Sequence, residues 1–162
     1  MIKEITYLSL GSNLGNRVTN LQAARQALPP KIQVLEQSPI YQTAPWGYSH
    51  QPDFLNQVIK TQTLLSPLEV LEYIKGIEER IGRTPSFKNG PRIVDLDILF
   101  YGECVLESEI LTIPHPLLAE RAFVLVPLSK IAPNFRHPVL RKTIHELLSQ
   151  IDQRDVELYT GL

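Results

Sequence analysis

The sequence predicts an α+β fold in a single domain. A chain of 162 residues has room for one compact core and little more. Its strand-like and helix-like segments mix without the regular alternation of a doubly wound parallel sheet. No internal repeat and no linker-like stretch divides it, and 43% hydrophobic with 20% charged residues is an ordinary globular composition.

The elements read in order as follows. Ile5 to Leu10 is a short apolar, β-rich run, and Gly11-Ser12-Asn13-Leu14-Gly15 reads as a turn after it. Val18, Leu21, Ala24 and Leu28 recur at helical spacing until Pro29-Pro30 stops them. Ile32 to Leu35 is a second strand, residues 43–48 are irregular, and Phe54 to Leu65 is a long strand. The clearest helix start is Ser66 as N-cap, with Pro67 at the first helical position and Glu69 completing a capping box. Leu71, Ile74, Ile77 or Glu78, and Ile81 trace one face of that helix, and Gly82 ends it. Arg83 to Gly90 is a polar loop. Ile93 to Tyr101 is a strand that a Tyr101-Gly102-Glu103-Cys104 turn connects to a partner strand, Cys104-Val105-Leu106. Leu111 to Pro116 is extended, Val124 to Leu128 is apolar, and Thr143 to Ile151 is a last short helix.

Composition narrows the function classes. A formal net charge of −1 lacks the basic footprint of a nucleic-acid binder. The longest apolar runs are far too short to cross a bilayer, and the N-terminus lacks the pattern of a secretory leader. The single cysteine, Cys104, cannot pair within the chain, so a reducing cytoplasm is the expected compartment.

The strongest chemical signal is Arg92-Ile93-Val94-Asp95-Leu96-Asp97-Ile98-Leu99. On a strand Asp95 and Asp97 share a face, their Cα atoms about 6.6 Å apart, while Leu96 and Ile98 point to the core. Paired carboxylates repel unless cations neutralise them. Mg²⁺ takes one or two protein carboxylates and completes its shell with water and substrate phosphates. An exposed strand face, acids outward and aliphatics inward, would give the same pattern. Arg92 close by can meet phosphate oxygens bidentately. Pro114-His115-Pro116 holds a histidine between prolines, and Arg121 follows six residues on. Phe54 and Asn56 share one strand face, where an aromatic ring and an amide suit a flat heteroaromatic ligand. Gly11-Ser12-Asn13-Leu14-Gly15 lacks the Lys-Ser/Thr ending of a phosphate loop, and a tight turn accounts for it better.

Four ordered blocks resemble the 6-hydroxymethyl-7,8-dihydropterin pyrophosphokinase family. They are Tyr7 to Gly15, Gln51-Pro52-Asp53-Phe54-Leu55-Asn56, Gly90-Pro91-Arg92-Ile93-Val94-Asp95-Leu96-Asp97-Ile98-Leu99, and Ile113-Pro114-His115-Pro116 with Arg121 and Phe123. The resemblance runs from Tyr7 to about Pro133 and implies a ferredoxin-like α+β sandwich with a mainly antiparallel sheet. It implies transfer of diphosphate from ATP to the pterin hydroxymethyl group, with release of AMP, in folate biosynthesis. Asp95 and Asp97 would hold two Mg²⁺ ions bound with ATP. Arg83, opening a catalytic loop, and Arg92 would act with them. Lys75, Glu78, Ile98, Thr112, His115 and Arg121 would complete the nucleotide contacts. Thr43, Ala44, Trp46, Phe54, Asn56 and Phe123 would form the pterin pocket. A monomer without nucleic-acid or membrane partners is expected.

The chain departs from the family pattern in places. Asn89 stands where many relatives carry a tryptophan before Gly-Pro-Arg, Ile110 where some carry an arginine, and Ala44 where a proline is common. Phe87 and Lys88 are candidates to replace the missing loop aromatic and cation. Two rival readings stand beside this one. A nucleotidyltransferase needs its Gly-Ser turn just before the acidic strand, whereas most of the domain separates Gly11-Ser12 from Asp95. A non-catalytic ferredoxin-like module for a small ligand predicts binding without turnover.

Overall fold

A computed structural model describes residues 2–45, 49–82, 87 and 90–162. Along the chain run β1 (Glu4–Ser12), α1 (Arg17–Gln26), β2 (Ile32–Gln37), β3 (Tyr41–Thr43), β4 (Phe54–Thr63), α2 (Pro67–Ile81) and β5 (Asp95–Tyr101). After them come β6 (Leu106–Glu107), β7 (Thr112–Ile113), a 3₁₀ turn at Leu118–Glu120, α3 (Ala122–Ile131), α4 (Ile144–Leu148) and β8 (Val156–Leu158). The main sheet is ordered β5-β1-β4-β3-β8, with β2 also on β4, and every pairing in it is antiparallel. With β1 and β4 central, the chain follows the β-α-β-β-α-β course of a ferredoxin-like sandwich, as expected.

Alternation along the strands divides the sheet into two faces. Leu8 and Leu10 of β1, Leu55 and Ile59 of β4, and Leu96 and Ile98 of β5 meet α1 and α2 through Leu21, Ala24, Val70, Ile74 and Ile77. Tyr7, Val58, Leu99 and Phe100 meet α3 and α4 through Val124, Leu125, Leu128, Ile144 and Leu147. Leu99 and Phe100 are neighbours in sequence yet share a face. The pairing of β1 with β5 explains this, because its register shifts between Tyr7 and Leu8. Below the shift β5 turns Asp95 and Asp97 to the α3 side, and above it the same side receives Phe100. That ring is fully buried among Phe135 at 4.6 Å, His137 at 5.5 Å and Tyr7 at 6.3 Å between centroids.

The α2 start has the expected geometry: Ser66 accepts from the Glu69 amide, Glu69 returns a bond to Ser66, and Gly82 closes the helix at φ 109°. Two sequence expectations are corrected. The strand β1 continues through Gly11 and Ser12, so the turn begins later than the glycine suggested. The strand after the Gly102 turn pairs with β7, not with β5, whose outer edge other groups cover. The apolar run at Val124 lies inside α3, which tolerates Pro127 in its interior. Among the described residues no helix is long and apolar enough to cross a membrane.

Replacing Phe100 by Ala would leave a ring-sized void in the α3-side core. The expected loss is about 3–5 kcal/mol of unfolding free energy, read from the midpoint shift in urea at unchanged slope.

Candidate active site

Across the open end of the sheet, on the α3 side, the register lines up residues from three strands. Gly11 of β1 lies directly between Asn56 of β4 and Asp95 of β5, and Ser9 lies opposite Asp97. Two strand spacings therefore separate Asn56 from Asp95, about 10 Å. Between them the floor has no side chain. A Cβ built on Gly11 would come within 3.2 Å of Asn56 Oδ1 and 3.7 Å of the Phe54 ring. This row floors a solvent-open cavity.

The cavity has two chemically distinct ends. At one are Thr43, Ala44, Phe54, Asn56 and Phe123, all assigned to a ring pocket from the sequence. Asn56 is buried and donates from Nδ2 to Thr43 Oγ1 at 2.8 Å, which fixes the amide and leaves its oxygen and second N–H hydrogen for a ligand. At the other end are Arg92, Asp95, Asp97 and Arg121. The Arg121 guanidinium lies over the Phe123 ring at 5.5 Å, so one stacked pair spans the border between the two ends.

The carboxylate end is electrostatically strained. Asp97 lines the cavity and keeps 32% of its side-chain surface exposed. Loss of solvation, then the charge of Asp95, push its carboxyl up to about 7, against the opposing pull of Lys75 and Arg121. A divalent cation would remove that repulsion, and two hard oxygen donors on one rigid strand fit Mg²⁺ better than a soft metal. Burial, then the Arg121 charge, push the His115 imidazole down to about 4. Its Nδ1 accepts from the Leu117 amide at 3.1 Å, so the neutral ring carries its proton on Nε2. Its backbone N–H donates to Leu99 O on β5 at 3.0 Å, which docks the segment beside the acidic strand.

Other expected residues are placed differently. Glu78 is buried beneath β5, where its Oε2 accepts from the Leu96 amide at 2.7 Å and from Lys75 Nζ at 3.2 Å. Lys75 Nζ also donates to Leu96 O at 3.1 Å and stands 4.0 Å from Asp97 Oδ1. Helix α2 thus grips the outer edge of β5 between the two aspartates. Ile98 is buried in the core against α1 and α2, and Thr112 sits half-buried on β7, so neither lines the cavity. The Arg92 guanidinium donates to the carbonyls of Gly90 (2.9 Å), Pro91 (3.1 Å) and Phe87 (3.1 Å), folding onto its own loop. Arg83, Trp46, Lys88 and Asn89 lie outside the described residues, and Phe87 is exposed. Ser9, Gly11, Gly90 and Val124 also line the cavity. Of these, Ser9 and Gly11 were readable: small residues alternating with Leu8 and Leu10 mark an open face.

The fold and the cavity define a ferredoxin-like domain with a small-ligand site on the open end of its sheet. Within that class the chain belongs to the 7,8-dihydro-6-hydroxymethylpterin-pyrophosphokinase (HPPK) family, whose sequence profile matches residues 7–133. It is 41% identical over 140 residues to the Aquifex aeolicus 2-amino-4-hydroxy-6-hydroxymethyldihydropteridine pyrophosphokinase, covering 86% of this chain and 88% of that protein. It is 43% identical over 132 residues to the Bacillus subtilis enzyme of the same name, covering 80% and 79%. The folic acid synthesis protein fol1 of Schizosaccharomyces pombe is 43% identical over 98% of this chain, which spans only 22% of that longer protein. A crystal structure of Plasmodium falciparum HPPK-DHPS with pteroate superposes with a TM-score of 0.77 over 92% of this chain and 44% of that one. At 18% identity that likeness speaks for the fold alone.

Two outcomes follow from the geometry. Gly11→Ala should fold normally by circular dichroism yet lose about tenfold or more in affinity for a ring ligand, because the added methyl displaces the Asn56 amide. His115 should stay neutral: its imidazole proton resonances should not shift until the pH falls toward about 4. The unfolded chain takes up that proton near pH 6.5. The contribution of His115 to stability is therefore complete above about pH 6.5 and is lost as the pH falls toward about 4.

Proposed function

We propose that this chain transfers the terminal diphosphate of ATP to the hydroxymethyl oxygen of 6-hydroxymethyl-7,8-dihydropterin, releasing AMP, as a step of folate biosynthesis. The observation that carries the reading is the in-register row Asn56–Gly11–Asp95. It sets a polar, aromatic-walled slot for a flat ring about 10 Å from a carboxylate pair, with an unobstructed floor between. Membership of the HPPK family and the names of relatives covered over most of their length support the same substrate class.

In this reading Phe54 and Phe123 sandwich the pterin, while Asn56 and the Thr43 segment read its polar edge. The family resemblance assigns Trp46 to the same pocket. The ring's hydroxymethyl group then lies over Gly11, aimed at the phosphates. Its oxygen forms a bond to the β-phosphorus, the bond from that phosphorus to the α–β bridging oxygen breaks, and the hydroxyl proton is released. AMP leaves with the bridging oxygen. Arg121 and the Nε2–H of neutral His115 donate to phosphate oxygens, and Arg92 exchanges its loop carbonyls for phosphate. Arg83 belongs to the catalytic loop, and Ile98 and Thr112 to the nucleotide side, as the family resemblance implies. Asp95 and Asp97 would hold Mg²⁺, two ions with ATP, whose chemistry is to neutralise phosphate charge and align the reacting groups. Such transfer is mostly positioning and electrostatics, so no covalent enzyme nucleophile is required. The proposed enzyme works as a monomeric single domain in the cytoplasm, a setting that suits its one free thiol, Cys104.

The test is product analysis with ATP, Mg²⁺ and 6-hydroxymethyl-7,8-dihydropterin. AMP and a pterin diphosphate should form in equal amounts, and a chelator should abolish both. ADP as product, or ligand binding without turnover, would reject the reading. Asp97→Ala should lower kcat/KM by about a hundredfold or more while leaving the unfolding midpoint unchanged or higher, since it removes a repulsive charge.

A further inference from the structure

We propose that Asn13 is a positioning residue that mechanically joins the ring-binding strand to the Arg92 segment, so that occupancy of one end of the cavity is felt at the other. The proposal rests on the pterin and ATP reading above. Asn13 follows β1 directly, is 2% exposed, and lies behind the cavity wall and not on it. Its backbone N–H donates to Arg92 O at 3.0 Å, and its Oδ1 accepts from the Arg92 N–H at 2.8 Å. The two bonds together clamp the Arg92 backbone in both directions. The other end of the same amide donates from Nδ2 to Gln51 Oε1 at 2.9 Å and to Pro52 O at 3.0 Å.

One buried side chain therefore ties the end of β1 to two distant segments, Gln51-Pro52 at 38 and 39 positions away and Arg92 at 79. Each segment feeds a part of the site. β1 supplies the bare floor at Gly11, residues 51–53 lead into Phe54 and Asn56, and Arg92 leads into Asp95. Only a carboxamide can fill this role. It presents an acceptor to Arg92 and two N–H donors to Gln51 and Pro52 from one planar group. Aspartate would keep the acceptor and turn an anionic oxygen toward two acceptors. Alanine would remove both arms and leave buried backbone groups unpaired. A loop shift of a few tenths of an ångström on ring binding reaches Arg92 through a rigid group, not through a chain of soft contacts.

The test compares affinities for 6-hydroxymethyl-7,8-dihydropterin with and without Mg²⁺ and a non-hydrolysable ATP analogue, alongside steady-state kinetics. The unaltered protein should bind pterin several-fold more tightly with the nucleotide present. In Asn13→Asp that ratio should fall to about one and KM for pterin should rise about tenfold, while affinity for the nucleotide alone is retained. Gln51→Ala, which removes the acceptor of one Asn13 N–H at a half-buried position and spares the core, should move the same ratio in the same direction by a smaller amount. If Asn13 only supports the fold, both variants lower the active fraction and kcat with KM and the ratio unchanged, and the proposal is wrong. It is equally wrong if the unaltered protein turns over but shows no coupling between its two ligands. If the unaltered protein binds no pterin, the reading of function fails first and takes this proposal with it.

Discussion

Everything at the open end of the molecule depends on the two antiparallel ladders that share β1. Because β1 pairs with β4 on one side and β5 on the other, the register of a single strand decides which residue of β4 faces which carboxylate. A one-residue slip of β1 would turn Ser9 and Gly11 into the α1–α2 core and bring Leu8 and Leu10 to the cavity. Leu8, Leu10, Leu55, Leu96 and Ile98 hold the register, since all are buried on the opposite face. The apolar half of each strand thus fixes the polar half, and the site is a by-product of how the core alternates.

A second constraint is charge. Two carboxylates on one strand face, in a partly desolvated cavity, oppose their own ionisation, as the rise of Asp97 to about 7 shows. The structure meets this by making the backbone beneath them rigid. Glu78 and Lys75 take the outward N–H and C=O of Leu96, and the His115 segment takes Leu99 O. The backbone that carries the two carboxylates is thus held from both directions.

Much of this was legible in the sequence. Alternation gave β1, β4 and β5 their faces, the Ser66–Glu69 box and Gly82 gave α2 both ends, and Asp95, Asp97, Phe54, Asn56, Arg121 and Phe123 do share one cavity. What escaped had physical reasons. The three-residue β3 and β8 carry too little pattern to register, and neither is stable without its neighbour. The shift opposite Leu99 is a property of the pairing of two strands, invisible in either alone. Glu78 is buried and accepts from the Leu96 N–H, a backbone partner that no side-chain pattern reveals. Gly11 read as a turn because glycine usually signals backbone freedom, whereas here it supplies empty space.

The grip of α2 on β5 has a consequence outside catalysis. β5 is the terminal strand on its side of the described sheet, and a bare terminal strand is a template onto which another chain can add. Here the outward amide and carbonyl of Leu96 are already occupied by a carboxylate and an ammonium group, and a third outward group by the His115 backbone. An incoming strand would have to displace a buried charge before making its first bond. Protection from intermolecular pairing is therefore built from the same atoms that steady the acidic face, so weakening the one would expose the protein to the other hazard during folding and storage.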